Sequence, residues 1–292
     1  MSFSFPLQQF PHTKNAADSL YHIWQFRTSR KPVSFPAALW YIINMKVIIS
    51  PAKKMNQVTD LLDWIDLPAF LPETEKLLAW LRGRSFGQLQ SIWNCNDKIA
   101  LLNYDRLQTM DLQYQLTPAV LAYEGLQYQH MAPQVMEYIQ LDWLQAHLRI
   151  LSGFYGLLRP LDGIVPYRLE MHARLPGFES ENLYDFWGRR LYDTLAAEES
   201  DTILNLASKE YSRCITRYAN SAEPRIITCV FGQLTDGKVR EKGTFAKMAR
   251  GDMVRFLAAY NVQDAAGAKD YQGLGYCFRE DLSDEETYVF IK

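Results

Sequence analysis

Lys46-Val-Ile-Ile-Ser50-Pro51-Ala52-Lys53 is the stretch on which the architecture turns. Val47, Ile48 and Ile49 form a short β-rich run, and Pro51 ends it. A hydroxyl and a lysine just past a strand's carboxyl end stand where α/β sheets bind ligands. The plain alternative is a proline turn with a solvated lysine.

Upstream, residues 1–44 contain Pro6, Pro11, Pro32 and Pro36 and no sustained helical or strand period. Met45 stands directly before the first strand, so 1–44 is expected to be an unstructured leader or a mis-called start, with one domain over 45–292. The segment's basic residues, Lys14, Arg27, Arg30 and Lys31, mark no amphipathic targeting helix.

Downstream, Pro72 starts a helix over 73–82. Helical patterns follow at 86–96 and 118–121. Met136, Ile139, Trp143 and Ala146 give 133–148 one apolar face. Ile150-Leu-Ser-Gly-Phe-Tyr-Gly156 reads as a buried strand running into a turn. Tyr167-Arg-Leu-Glu-Met171 alternates, so Arg168 and Glu170 share a face. A helix over 183–197 precedes a strand at 203–206. Asp236-Gly237 joins 226–231 to 238–242 as a hairpin. A helix spans 244–260, and 276–279 with 287–291 make a terminal hairpin. The fold class is therefore α/β, mixed α+β: a single domain with a mixed sheet flanked by helices.

Composition bounds the function. Over 292 residues, 48% are hydrophobic and 13% aromatic, as in a folded globule. The formal charge of −2 gives no global attraction for nucleic acid, and removing 1–44, with four basic residues and one acidic, leaves the rest more acidic still. Cys95, Cys214, Cys229 and Cys277 have no metal or disulfide spacing, which suits a cytoplasmic location. Cys214 lies near Arg213 and Arg217, a placement that lowers a thiol's pKa when exposed. No apolar run reaches membrane-spanning length. Phosphate-loop, dinucleotide, zincin and serine-hydrolase motifs are absent. The five histidines (His12, His22, His130, His147 and His172) form no ligand pattern, so neither a metal nor a cofactor is expected.

Cations remain. Arg159 and Asp162 sit in an apolar turn, where they either pair or leave Arg159 facing an anion. Along 244–260, at about 100° per residue, Phe245, Ala249, Met253, Phe256 and Tyr260 form a stripe opposite Lys247, Arg250 and Arg255. Gly251 among these cations costs about 1 kcal/mol against alanine, a reason to expect close approach by a backbone or ligand. Leu175-Pro-Gly-Phe178 resembles the turn of a helix-hairpin-helix, although Glu179 stands where a second glycine is expected.

Ile49-Ser-Pro-Ala-Lys53, Leu151-Ser-Gly-Phe-Tyr-Gly-Leu-Leu-Arg-Pro-Leu-Asp162, Pro166-Tyr-Arg-Leu-Glu-Met171, Leu183-Tyr-Asp-Phe-Trp-Gly188, Asn205-Leu-Ala-Ser-Lys-Glu-Tyr211 and Lys247-Met-Ala-Arg-Gly-Asp-Met-Val-Arg255 are similar, in order, to the motifs of the YaaA peroxide stress response family. The resemblance implies a bacterial protein of the peroxide response that lowers free iron and limits DNA damage. It also implies a mixed α/β fold with a positively charged cleft. By position, the DNA- or anion-binding candidates are Lys53, Arg159, Arg168, Asn205, Lys247, Arg250 and Arg255. Ser208 is a further polar partner, and a monomer is expected. The alternative is an enzyme acting on an anionic small molecule such as a nucleotide, with Lys53 holding the anion and Glu170 or Ser208 moving a proton.

Overall fold

The first strand, β1 (Met45–Ile49), is buried along its whole length because parallel partners flank it on both sides. The structure is a computed structural model that describes residues 45–198, 200–219 and 224–292. The expected leader, 1–44, lies outside the described residues.

The remaining strands are β2 (Lys54–Met55), β3 (Thr117–Pro118), β4 (Tyr123–Glu124), β5 (Leu148–Ser152), β6 (Gly156–Leu158), β7 (Gly163–Ile164), β8 (Thr202–Asn205), β9 (Arg225–Thr235), β10 (Lys238–Arg240), β11 (Cys277–Phe278) and β12 (Thr287–Ile291). The helices are α1 (Leu71–Arg82), α2 (Phe86–Trp93), α3 (Asp97–Thr109), α4 (Ala119–Ala122), α5 (Leu126–Met131), α6 (Tyr138–His147), α7 (Leu183–Trp187), α8 (Arg190–Ala196), α9 (Lys209–Thr216) and α10 (Gly243–Ala259).

The main sheet runs β11-β12-β9-β8-β1-β5-β6, with β10 paired to β9. Neighbours among β5, β1, β8, β9 and β12 are parallel, while β6, β10 and β11 add antiparallel edges. The fold is therefore mixed α/β. Counting parallel strands in chain order, the arrangement is 2-1-3-4-5, a doubly wound order whose connections diverge between β1 and β8. Ligands in such sheets bind beyond the carboxyl ends of the strands at that divergence.

The strand and turn signals translate directly into these elements. Asp236 and Gly237 both take positive φ, 51° and 70°, and close the β9–β10 hairpin. Two helical readings change. Residues 183–197 divide at Gly188, whose φ is 53°, into α7 and α8. Residues 133–135 form a 3₁₀ turn ahead of α6, and Ile139, expected inside, is 67% exposed. Trp143 packs inside as expected, and Leu141 and Leu144 complete the α6 core face.

In α10 the stripe is rotated from the one expected. Ala246, Ala249, Met253, Val254, Leu257 and Ala258 enter the core, whereas Phe245 and Tyr260 face outward. Gly251 is buried on the opposite edge of this face. A Cβ there would lie 1.9 Å from the Gln127 carbonyl oxygen, so the glycine admits the α5 backbone. Close approach is the reason for Gly251, and the approaching group is protein.

Candidate functional site

Ser50 immediately follows β1, and Ser208 follows β8 at the start of α9. Their backbones meet across the divergence of the sheet. The Ser208 N–H donates to Ser50 Oγ at 2.8 Å, and Ser50 Oγ donates to Ser208 Oγ at 3.2 Å. Tyr128 of α5 donates to the Ser50 carbonyl at 3.0 Å, locking the loop from the other side. Because its hydroxyl is turned to Ser50, Ser208 leaves α9 without a side-chain cap.

The segment 167–171 supplies the charged wall. It pairs as no strand, yet the alternation read from sequence still sorts its side chains: Tyr167, Leu169 and Met171 are buried. It crosses directly over Gly153, where a Cβ would meet the Leu169 carbonyl oxygen at 2.5 Å. That close crossing brings Arg168 and Glu170 to the carboxyl ends of the strands. Glu170 bridges two cations: Arg168 Nη2 to its Oε1 at 3.0 Å, and Lys53 Nζ to its Oε2 at 2.6 Å. Arg168 and Glu170 are largely sequestered, but the Lys53 side chain is 66% exposed.

One further pair completes the cluster. His172 Nδ1 lies 2.7 Å from Oε1 of Glu210, in the first turn of α9. The ligand atoms of Glu170, His172 and Glu210 all fall within 4.8 Å of one another. The sequence reading expected no grouping of histidine and carboxylates. This one was hidden because Glu210 is 38 residues from His172 and reaches it only when β8 docks on β1.

Beneath the site, Ser152 Oγ and Tyr167 OH are 2.7 Å apart, and Tyr167 OH and Tyr123 OH 2.9 Å apart. Burial pushes both tyrosines up, Tyr167 to about 12, so these rings stay neutral supports. Beside the Ser50–Lys53 loop lies a cavity of about 240 Å³, lined in part by Asn56, Tyr123, Glu124, Gly125, Tyr128 and Gln129.

The structure gathers Lys53, Arg168, Glu170 and Ser208 here, but not the other candidates. Asn205 is buried and already satisfied, accepting the Ala207 N–H at 3.0 Å and donating to Thr228 Oγ1 at 3.1 Å. Its role is to shape the loop after β8. Arg159 lies beyond the other end of β1, in the electrostatic neighbourhood of Lys46 and Glu198. Asp162 does not form an ion pair with it; its carboxylate accepts the Arg159 backbone N–H at 2.8 Å, closing the turn. Burial raises Asp162 to about 7.

The three cations of α10 also separate. Arg250 is half-buried against Glu241 at 3.4 Å, while Lys247 and Arg255 are exposed and form no ion pair among the described residues. The Leu175–Phe178 turn is present, with Gly177 at φ 75°. It is closed by an Arg174–Asn182 bridge and follows irregular chain, not a helix. Cys214 is buried and donates to the Tyr211 carbonyl, and burial pushes its thiol up to about 12 against the opposing pull of Arg217. It is an inert thiol.

A basic surface that sequence reading missed lies on α9. Lys209, Arg213 and Arg217 recur every fourth residue and are all exposed. Arg213 stands 5.0 Å over the Tyr184 ring and Arg217 4.9 Å over Tyr218, while Arg189 faces Tyr192 and Tyr218. Arg217 and Arg189 also have carboxylate partners, Asp185 and Asp193; Lys209 and Arg213 form no ion pair among the described residues. The spacing was available in the sequence as a basic stripe with Tyr218 directly after it, but Tyr184 comes from α7.

Among the described residues no helix is long and apolar enough to cross a membrane. A family model described as "Peroxide stress protein YaaA" matches residues 45–282. A UPF0246 protein of Lachnoclostridium phytofermentans is 49% identical over 248 residues, covering 85% of this chain and 96% of that protein. A UPF0246 protein of Desulfitobacterium hafniense is 51% identical over 248 residues, covering 85% of this chain and 98% of that protein. A third, from Pediococcus pentosaceus, is 49% identical over the same length, covering 85% and 98%.

Proposed function

The chain belongs to the peroxide stress protein YaaA family, and from that premise we propose that it protects DNA during peroxide stress by binding the phosphate backbone on exposed cations, limiting damage driven by free iron. The observation that carries this reading is the α9 stripe of Lys209, Arg213 and Arg217, interleaved with Tyr184 and Tyr218. Phosphates need cations that water can reach, and the rings beneath Arg213 and Arg217 hold their guanidiniums in place at the surface. Lys247 and Arg255 extend the set on α10. Arg168 and Arg250 contribute less, because their side chains are largely buried, 9% and 13% exposed against their carboxylate partners.

The test is a salt titration of binding to a short duplex. The reading requires affinity to fall steeply with salt, with a shallower slope for a Lys209/Arg213/Arg217 triple alanine variant. Equal slopes for the variant and the parent protein reject this face.

A second reading is favoured by the divergence of the sheet. Ser50 meets Ser208 and Lys53 meets Glu170 at the carboxyl ends of the strands. A separate cavity of about 240 Å³ opens beside Tyr128, which holds the Ser50 carbonyl, a setting suited to an anionic small molecule such as a nucleotide. Lys53 then holds the anion, and Glu170 or Ser208 moves a proton. Thermal shifts with a panel of nucleotides separate the two readings. A shift lost in Lys53→Ala and kept in the α9 variant supports the small molecule, and no shift with any nucleotide counts against it.

A further inference from the structure

We propose that Glu170, His172 and Glu210 bind one divalent transition-metal ion at the carboxyl edge of the sheet. Three features lead there. The first is geometric: one oxygen from each carboxylate and a ring nitrogen lie within 4.8 Å of one another, so small side-chain rotations converge them on a common point. The second is the choice of donors. Two carboxylates and one imidazole form a mixed hard and borderline set suited to manganese, iron or zinc ions, and three protein ligands leave positions open for water or a substrate oxygen.

The third is position. The cluster stands where the parallel strands diverge, with Glu170 held by the crossing over Gly153 and Glu210 by the start of α9. This is the place at which sheets of this order take ligands, and it does not depend on contacts within the cluster.

The surroundings are arranged to support a ligand set. Arg168 binds Glu170 Oε1 and orients the carboxylate from behind, as an outer-shell partner does. Lys53 lies on Oε2 at 2.6 Å, a place a metal cation would compete for. Its side chain is 66% exposed, so it can swing into solvent without leaving a buried charge. Metal binding exchanges the Lys53–Glu170 pair and the His172–Glu210 hydrogen bond for metal–ligand bonds. With Lys53 withdrawn, the two carboxylates outweigh Arg168 and leave the cluster net negative toward an incoming cation.

That charge balance gives the proposal a distinctive sign. Removing a ligand weakens binding, whereas removing Lys53 strengthens it. The experiment uses the full chain, stripped with a chelator and titrated with cobalt(II), whose visible absorption reports coordination, and with zinc(II) by calorimetry. One equivalent is expected to bind. His172→Ala and Glu210→Gln are expected to weaken it by about tenfold or more, and Lys53→Ala to tighten it.

Both ligand side chains reach solvent, with His172 53% exposed, so these variants keep their fold, and circular dichroism verifies it. No spectral change up to millimolar cobalt overturns the proposal. So does binding whose affinity is unchanged in His172→Ala and Glu210→Gln. No DNA is present, so the outcome is independent of the DNA-binding reading.

Discussion

The two ends of β1 both carry charge, on opposite terms. At the amino end, Lys46 pairs with Glu198 at 3.3 Å and donates to the Ala146 carbonyl at 2.9 Å. Arg149 grips the same carboxylate at 2.6 and 2.9 Å and donates to the Gln145 and Leu148 carbonyls. His147 stacks on Trp143 and bonds the Met45 carbonyl oxygen at 2.8 Å. These groups are largely buried and mutually saturated. At the carboxyl end, Lys53 and His172 pair with carboxylates through side chains more than half exposed. A closed cluster fixes the sheet, whereas an open one can exchange its partners for a ligand. Charge alone does not mark a site; its access to water does.

The most severe way to break the comparison is Glu198→Ala. It strands Lys46 and Arg149 without a counter-charge and is expected to cost about 3–5 kcal/mol in urea denaturation. A loss below about 1 kcal/mol would mean the amino end is as open as the carboxyl end.

Acid sensitivity should also concentrate at the closed end. Burial, reinforced by the Lys46 charge, lowers His147 from 6.5 to about 4. The folded state therefore binds fewer protons than the unfolded chain between those values. Stability from neutral His147 is complete above 6.5 and is lost as pH falls toward 4, up to about 3 kcal/mol. His147→Gln is expected to flatten that part of the pH–stability curve, and an unchanged curve would place the acid-sensitive group elsewhere.

Lys46 sharpens the contrast on the alkaline side. Burial first, then the Arg149 charge, lowers it from 10.5 to about 8 against the pull of Glu198. Its charged form is penalised in the fold, so stability is expected to rise as pH climbs from 8 toward 10. Lys46→Met removes that rise, measured by denaturant midpoints across the window.

The open face should respond in binding and hardly at all in stability. The Lys209/Arg213/Arg217 alanine variant is expected to lower the slope of log K against log salt by about 2–3. The smallest expected effect is Lys53→Ala, whose exposed pair with Glu170 contributes within about 0.5 kcal/mol. A larger loss would show that the open end is structural after all.

Much of the framework was legible locally. The β-branched run after Met45, Pro72 at the start of α1 and Asp236-Gly237 between β9 and β10 each announce an element through backbone preference. Alternation along Tyr167–Met171 placed Arg168 and Glu170 together even though no strand forms there. The thirteen-residue α3 was not anticipated, because its mixed face, with Leu101 and Leu102 exposed, weakens the period. The buried face of α10 was misjudged because exposed Phe245 and Tyr260 suggested an apolar stripe, whereas the side that packs on α5 is lined by small residues and Gly251.

By itself, then, the sequence determined most strands of the main sheet, most of the helices, the tight turns and the ordered motifs that carry the family, because these depend on residues within a turn or two of each other. Only the tertiary structure decided which charges are free. Lys53 meets Glu170, Lys46 meets Glu198 and His172 meets Glu210 through the order in which strands dock. Choosing a counter-ion across such separations depends on loop closure and sheet order, which no local period encodes. That choice separates the sealed end of the sheet from the end open to a ligand.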